Sequence, residues 1–231
     1  MNESVKRTEQ ERMEEPPELA GIASTRIDYS LRFTGWPGLG QLVAIAVATA
    51  VYTVLSWISV TFFPSLPLVS SIFIAIGFGI PFAIWFGGWA FVIAYIGNTV
   101  GAGLLGTPPL PLSLALLFGT VDLIQLGLPM LLYRLFARRF GVNPIGKDVF
   151  TIRGFIFFVI CAVLPNNILG GLYGNFLLVK FSTLPANTFL AAWFTWSFSN
   201  IIVTLIIGSV LLGTLGSVVE RFGLTIRNAL S

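Results

Sequence analysis

Between Arg32 and Asp122 the chain runs for 89 residues without one Asp, Glu, Lys or Arg. Ordinary soluble domains carry roughly 25% charged residues, spread along the chain. A neutral stretch of this length has nothing to face water with. Wound into helix at ~1.5 Å per residue, it is long enough to cross ~30 Å of hydrocarbon several times. The rest agrees: 55% of residues are hydrophobic and 10% charged, and the mean hydropathy is +0.88. The 21 Phe exclude a disordered chain. The sequence therefore predicts an all-α integral membrane protein.

Several function classes fall to missing residues. There is no His, which removes His-liganded metals, Ser-His catalysis and His proton relays. Cys161 is the single cysteine, so no intramolecular disulfide, Cys₄ zinc site or Cys-x-x-Cys pair can form. A paired-carboxylate intramembrane protease needs two acids, and Asp122 stands alone. No G-x-S-x-G and no Walker A loop is present. The expectation is a protein without enzymatic activity, cofactor or metal.

Charge divides the chain into three parts. Residues 1–35 hold five basic and seven acidic side chains; the remainder holds eight basic and three acidic. The first part is too charged to be a signal peptide. It reads as a cytoplasmic tail, with a short amphipathic helix possible near Glu18–Ser30. Residues 36–216 form the membrane domain and 217–231 a C-terminal cytoplasmic tail. The basic balance belongs to membrane flanks, not to a nucleic-acid surface.

Six apolar segments are predicted as spans: Leu39–Phe62, Val69–Phe86, Gly88–Gly106, Pro111–Tyr133, Gly154–Tyr173 and Thr188–Thr214. The second and third are divided only by Gly87–Gly88. A single helix of that length, ~57 Å, exceeds a bilayer, which favours two spans over one helix plus a re-entrant piece. Arg134, Arg138, Arg139, Lys147 and Arg153 fall in the fourth connection, and Arg221 and Arg227 near the C-terminus. With six spans these and the N-terminal tail share one side, which the positive-inside rule makes cytoplasmic. The opposite loops carry Lys180 alone.

Polar side chains inside the spans mark the candidate site. Asn98, Asp122, Asn166 and Asn200 fall at ~15–18 Å into their spans, near one level. Gln125 and Asn167 neighbour two of them. Four helices placing polar groups at one depth point to a shared cavity. Such amides also serve as interhelical glue, worth ~0.6 kcal/mol on average. A lone carboxylate at this depth costs ~2.5–3.5 kcal/mol on insertion scales, so Asp122 reads as functional, or as a protonated group bonding a neighbouring helix. Trp193 and Trp196 share a helix face and would stack on a flat ring, or belong to an interfacial aromatic belt. Pro165, Gly170, Gly171 and Gly174 suggest an irregular outer end of the fifth span. In the first span, Gly40, Ala44 and Ala48 line one face, and Ala46 and Ala50 a second. Either suits docking by a partner helix or packing within the chain.

The first span, AIAVATAVYTVLSWISVTFFP (Ala44–Pro64), resembles the opening helix of the substrate-binding S components of energy-coupling factor (ECF) transporters. FGIPFAIWFGGWAFVIAYIGNTVGAGLLG (Phe78–Gly106) resembles their second and third helices. The resemblance is one of pattern over residues 38–216. It implies a six-helix subunit that binds a vitamin or similar metabolite from outside. It also implies a transmembrane coupling subunit and two ATPases as partners, with docking through an A-x-x-x-A pattern that Ala44/Ala48 or Ala46/Ala50 match. The implied site lies in the outer half, where Asp122, Asn166, Asn167, Trp193, Trp196 and Asn200 match by depth. The charged tail departs from the family pattern. Two other readings stand beside it. Ala191–Gly213 resembles the last helices of bacterial membrane sensory domains, which suggests a sensory or scaffold domain. A solitary small-solute transporter would rest its proton coupling on Asp122. The absence of disulfides fits a prokaryotic inner membrane.

Overall fold

The computed structural model describes residues 29–32, 34–66 and 69–230. Most of the charged N-terminal segment, and the helix expected near Glu18–Ser30 up to residue 28, lie outside the described residues. Helix α1 is Leu39–Phe62, with the bounds the hydropathy predicts. Its first turn is capped by Gln41, whose Oε1 accepts from the Gly38 N–H at 2.9 Å. Thr49, Thr53 and Ser59 donate their hydroxyls to the carbonyls of Ile45, Thr49 and Leu55, which removes bare donors from an apolar helix. Pro64 follows the end of α1.

Two short strands, β1 Pro64–Leu66 and β2 Val69–Ser70, pair antiparallel. The second helical segment therefore starts at Ile74 rather than Val69. Ser70 explains the shift: its hydroxyl donates to Ser59 O in the last turn of α1 at 2.8 Å and to Ile72 O at 2.7 Å. Helix α2 is Ile74–Phe86. A 3₁₀ turn at Gly87–Trp89 leads to α3, Ala90–Gly97, which continues as a π-helical stretch, Asn98–Leu104. Helix α4 is Leu112–Phe136. Helix α5, Ile152–Lys180, and helix α6, Ala186–Arg221, run past the predicted ends at Tyr173 and Thr214. Hydropathy cannot see helix that continues beyond an apolar segment. The expected irregular outer end of the fifth segment is instead regular helix to Lys180.

Five helical stretches are long and apolar enough to cross a membrane: Leu39–Phe62, Ile74–Leu104, Leu112–Phe136, Ile152–Lys180 and Ala186–Arg221. The second folds back on itself. Gly87 has φ 58° and ψ −130°, which no helix accommodates. Gly79 and Gly97 both lie against the ring of Tyr52, yet in a straight helix they would stand ~27 Å apart. So α2 and α3 are the two arms of a hairpin, and neither arm alone reaches the ~20 residues of an upright span.

The packing is inverted relative to a water-soluble protein. Val47, Val54, Leu116, Ile156, Phe194 and Ile206 face outward, while Asn98, Asp122, Gln125, Asn166 and Asn167 are buried. This is the build of a multi-pass membrane protein, whose polar groups turn to the bundle interior.

One end of the bundle gathers the charge and both described termini. Arg134 of α4 is buried there. Its Nη1 donates to the carbonyls of Ser30 (2.7 Å), Arg227 (2.9 Å) and Asn228 (2.8 Å), and its Nη2 to Ile226 (2.6 Å). Ser30 N donates to Arg227 O, Ile226 N to Trp85 O, and Gly88 N to Ala229 O. Lys147, in the α4–α5 connection, pairs with Glu220. Tyr29 shares a hydrogen bond with Thr225, and burial holds its phenol above the ordinary value despite that bond. Residues 29–32 and 222–230 are thus packed onto the bundle, which the division by charge does not foretell. The β hairpin, the α3–α4 loop and the α5–α6 loop lie at the other end.

Candidate solute site in the bundle interior

The predicted polar residues fall into several groups. Asn98, Trp196 and Asn200 come together around a small cavity with Ser70, Phe73 and Phe118. It measures about 10 Å³ as space open to a water's centre, room for one water. Asn98 Nδ2 donates to Phe118 O at 3.0 Å. The Trp196 ring meets the Phe118 ring edge-on, with centroids 5.9 Å apart. Gly174 opposes Trp196 so closely that a Cβ there would lie 2.9 Å from the indole. Asn98 Oδ1, Asn200 Nδ2 and Trp196 Nε1 have no hydrogen-bond partner among the described residues, although all three are buried. A buried polar atom left unpaired costs about 1–3 kcal/mol.

Asp122 lies one turn along α4 from Phe118, away from this cavity. It is fully buried, and its Oδ2 accepts from Tyr52 Oη at 2.6 Å, while Oδ1 has no partner among the described residues. Tyr52 is the residue that the sequence reading missed. Its signal was a phenol in mid-span, among residues otherwise apolar or small. Gln125 lies against Gly170, where a Cβ would fall 2.2 Å from Gln125 Cγ; neither of its amide atoms is paired among the described residues. Asn166 is buried with both amide atoms unpaired among the described residues. Asn167 is used structurally: its Nδ2 donates to Val163 O at 2.8 Å and to Thr204 Oγ1 at 3.3 Å. Trp193 is half-buried and donates to Ile168 O at 3.0 Å, outside the cavity lining.

Three π-helical stretches mark these places. Asn98 opens one, Val159–Val163 precedes Pro165, and Thr204 opens the third at Thr204–Gly208. Pro165 lacks an N–H and crowds the carbonyl four residues back, which the wider turn relieves. Such turns are frequent at functional sites. Among the described residues, no three His, Cys, Asp or Glu side chains converge as a metal site would require.

The small-residue faces of α1 separate. Ala48 is buried within its own bundle, Ala44 is half-buried, and Gly40 sits beside Leu224. Ala46 and Ala50 line an open groove of about 630 Å³ with Thr49, Val54, Val92 and Ile96. Packing inside the chain occupies one face and leaves the other exposed.

No family model matches the chain, no curated protein matches its sequence, and no solved structure matches its fold.

Proposed function

We propose that this protein is the membrane-embedded solute-binding subunit of an ECF-type uptake system, taking a small polar or aromatic metabolite such as a vitamin. One observation carries the reading. Asn98, Trp196 and Asn200, from α3 and α6, line one small buried cavity below the loop end, and each carries a hydrogen-bonding atom unpaired among the described residues. Ligand sites combine apolar and aromatic walls with a few convergent polar groups in this way. The resemblance of Ala44–Pro64 and Phe78–Gly106 to S components supplies the class.

In this reading the short arms of the α2–α3 hairpin make two crossings where the bilayer thins to meet them, giving six in all, with both termini cytoplasmic in a prokaryotic inner membrane. The basic side chains gathered with the termini support that orientation. The solute enters from outside between the β hairpin, the α3–α4 loop and the α5–α6 loop. A cavity of one water is the closed form; admitting a metabolite requires the β hairpin at Ser70 and α6 at Trp196 to part. The solute then pairs with Asn98, Asn200 and the indole N–H, and its ring packs on Trp196 and Phe118. The Tyr52–Asp122 pair below anchors α1 to α4, so a shift at the site is passed toward α1. The Ala46/Ala50 face docks the coupling subunit, which brings two ATPases.

Asn200→Leu and Trp196→Phe are expected to fold and to lose at least tenfold of a metabolite that co-purifies with the parent protein. Mass spectrometry of small molecules released on denaturation reads the ratio, and thermal unfolding in detergent confirms the fold. Undiminished retention in both variants would remove the site.

A further inference from the structure

At the charged end, the groove between α4 and α5 differs from two other outward-facing grooves. It encloses about 780 Å³ and is walled by Leu132, Phe136, Ile156, Phe157 and Ile160, with Arg153 at its mouth. Arg139 sits beside it, its guanidinium carbon 6.0 Å from the centroid of the Phe136 ring. Arg139 and Arg153 are both exposed and, among the described residues, neither is paired with a carboxylate. Asp148, the acid of the same connection, turns its Oδ2 to the Asn143 N–H at 2.8 Å. The groove runs from Arg153 to Ile160, seven residues along α5, or ~10 Å. By contrast, neither the α1 groove at Ala46 nor the one lined by Ile72, Phe194 and Ile206 has a basic residue in its wall.

We infer that this groove is a binding site for one anionic phospholipid. Its acyl chain lies along Leu132, Ile156 and Ile160. Its phosphate sits between the guanidinium groups of Arg139 and Arg153, held as guanidinium forks hold phosphate oxygens. The apolar wall excludes a free phosphate as the natural occupant, because a small anion would leave that wall unfilled. The two cations select against a zwitterionic headgroup, whose net charge is zero. Basic pockets between helices at one membrane face recognise anionic headgroups by this combination. The inference rests on the membrane placement and on no part of the solute-binding reading. It assigns a structural role beyond setting orientation to Arg139 of the α4–α5 connection and Arg153 in the first turn of α5.

The test is native mass spectrometry of the purified full chain in mild detergent, titrated with dioleoyl phosphatidylglycerol or dioleoyl phosphatidylcholine. The phosphatidylglycerol is expected to be retained at least tenfold more tightly. Arg139→Gln and Arg153→Gln should each weaken it about fivefold, the worth of one basic residue near a headgroup. Ile160→Trp should weaken it by filling the groove, and Arg221→Gln, at the same end but away from the groove, should leave it unchanged. Inorganic phosphate should not displace it. Equal retention of the two lipids, a preference that survives in the Arg139→Gln/Arg153→Gln double variant, or displacement by inorganic phosphate would each overturn the site. The exposed arginines can be replaced without opening the core, and elution as a single species confirms each variant's fold. No solute or coupling subunit enters the assay, so its failure and that of the uptake reading are separately visible.

Discussion

Replacing Arg134 by Met is expected to destabilise the protein by about 3–5 kcal/mol and to free residues 222–230 from the bundle. The Met has similar reach but no donors. Four carbonyls, of Ser30, Ile226, Arg227 and Asn228, lose a charged partner together. A hydrogen bond to a charged group contributes ~1.5–3 kcal/mol, and four on one guanidinium do not add in full. The site is specific to Arg, because a planar fork can address several acceptors from one position where an ammonium is a point charge. Gly87 belongs to the same device: a Cβ there would fall 2.5 Å from Arg134 Nη2. Limited proteolysis should cut the variant within 222–230 while sparing the helices, and thermal unfolding in detergent should shift downward. An uncut C-terminal segment and unchanged unfolding would show that the Arg134 contacts do not hold it.

The second large effect is expected at Gly97. The Tyr52 ring lies between the two arms of the α2–α3 hairpin, with Gly79 on one side and Gly97 on the other. Its hydroxyl is tied to Asp122, so the ring cannot swing away without breaking a buried hydrogen bond. In Gly97→Ala the new methyl would start 2.4 Å from Tyr52 Cδ1. Overpacking of this kind costs ~1–3 kcal/mol, and the tethered ring places it at the upper end. Gly40→Ala is the contrast, since its Cβ would meet Leu224 at an ordinary 3.7 Å. That change should stay within ~0.5 kcal/mol. Combining Gly97→Ala with Tyr52→Leu should recover part of the loss, a coupling a double-mutant cycle measures directly. Equal effects at Gly97 and Gly40 would contradict the hairpin packing.

These two devices also show what a sequence reveals and what it hides. The bounds of α1 were legible because a run of apolar and small residues ends at Pro64. The reversal at Gly87 was legible as a choice between two outcomes, since length argued against one straight helix. The start of α2 was not, because Val69 and Ser70 are as apolar or small as their neighbours and only the hydroxyl's partners pull them into a turn. The extensions of α5 to Lys180 and of α6 to Arg221 were hidden because helix formation and membrane burial are different properties. Burial of Asn98, Asp122 and Asn200 could be read from their positions in apolar spans. Their grouping could not: Tyr52 meets Asp122 across 70 positions of sequence, and depth alone does not say which way a side chain turns. The same limit applies to Ala46 and Ala48, two residues apart on one helix, of which one faces outward and the other inward. Arg134 counted in the sequence as a flanking charge. The structure makes it the clamp between both ends of the chain.

The most direct test of solute uptake is affinity purification of the full chain from native membranes in mild detergent, with mass spectrometry of the proteins and small molecules that elute together. A transmembrane coupling subunit with two ATPases and a stoichiometric metabolite are expected to elute with it. Recovery with a signalling protein instead, or alone and free of any small molecule through repeated trials, would contradict it.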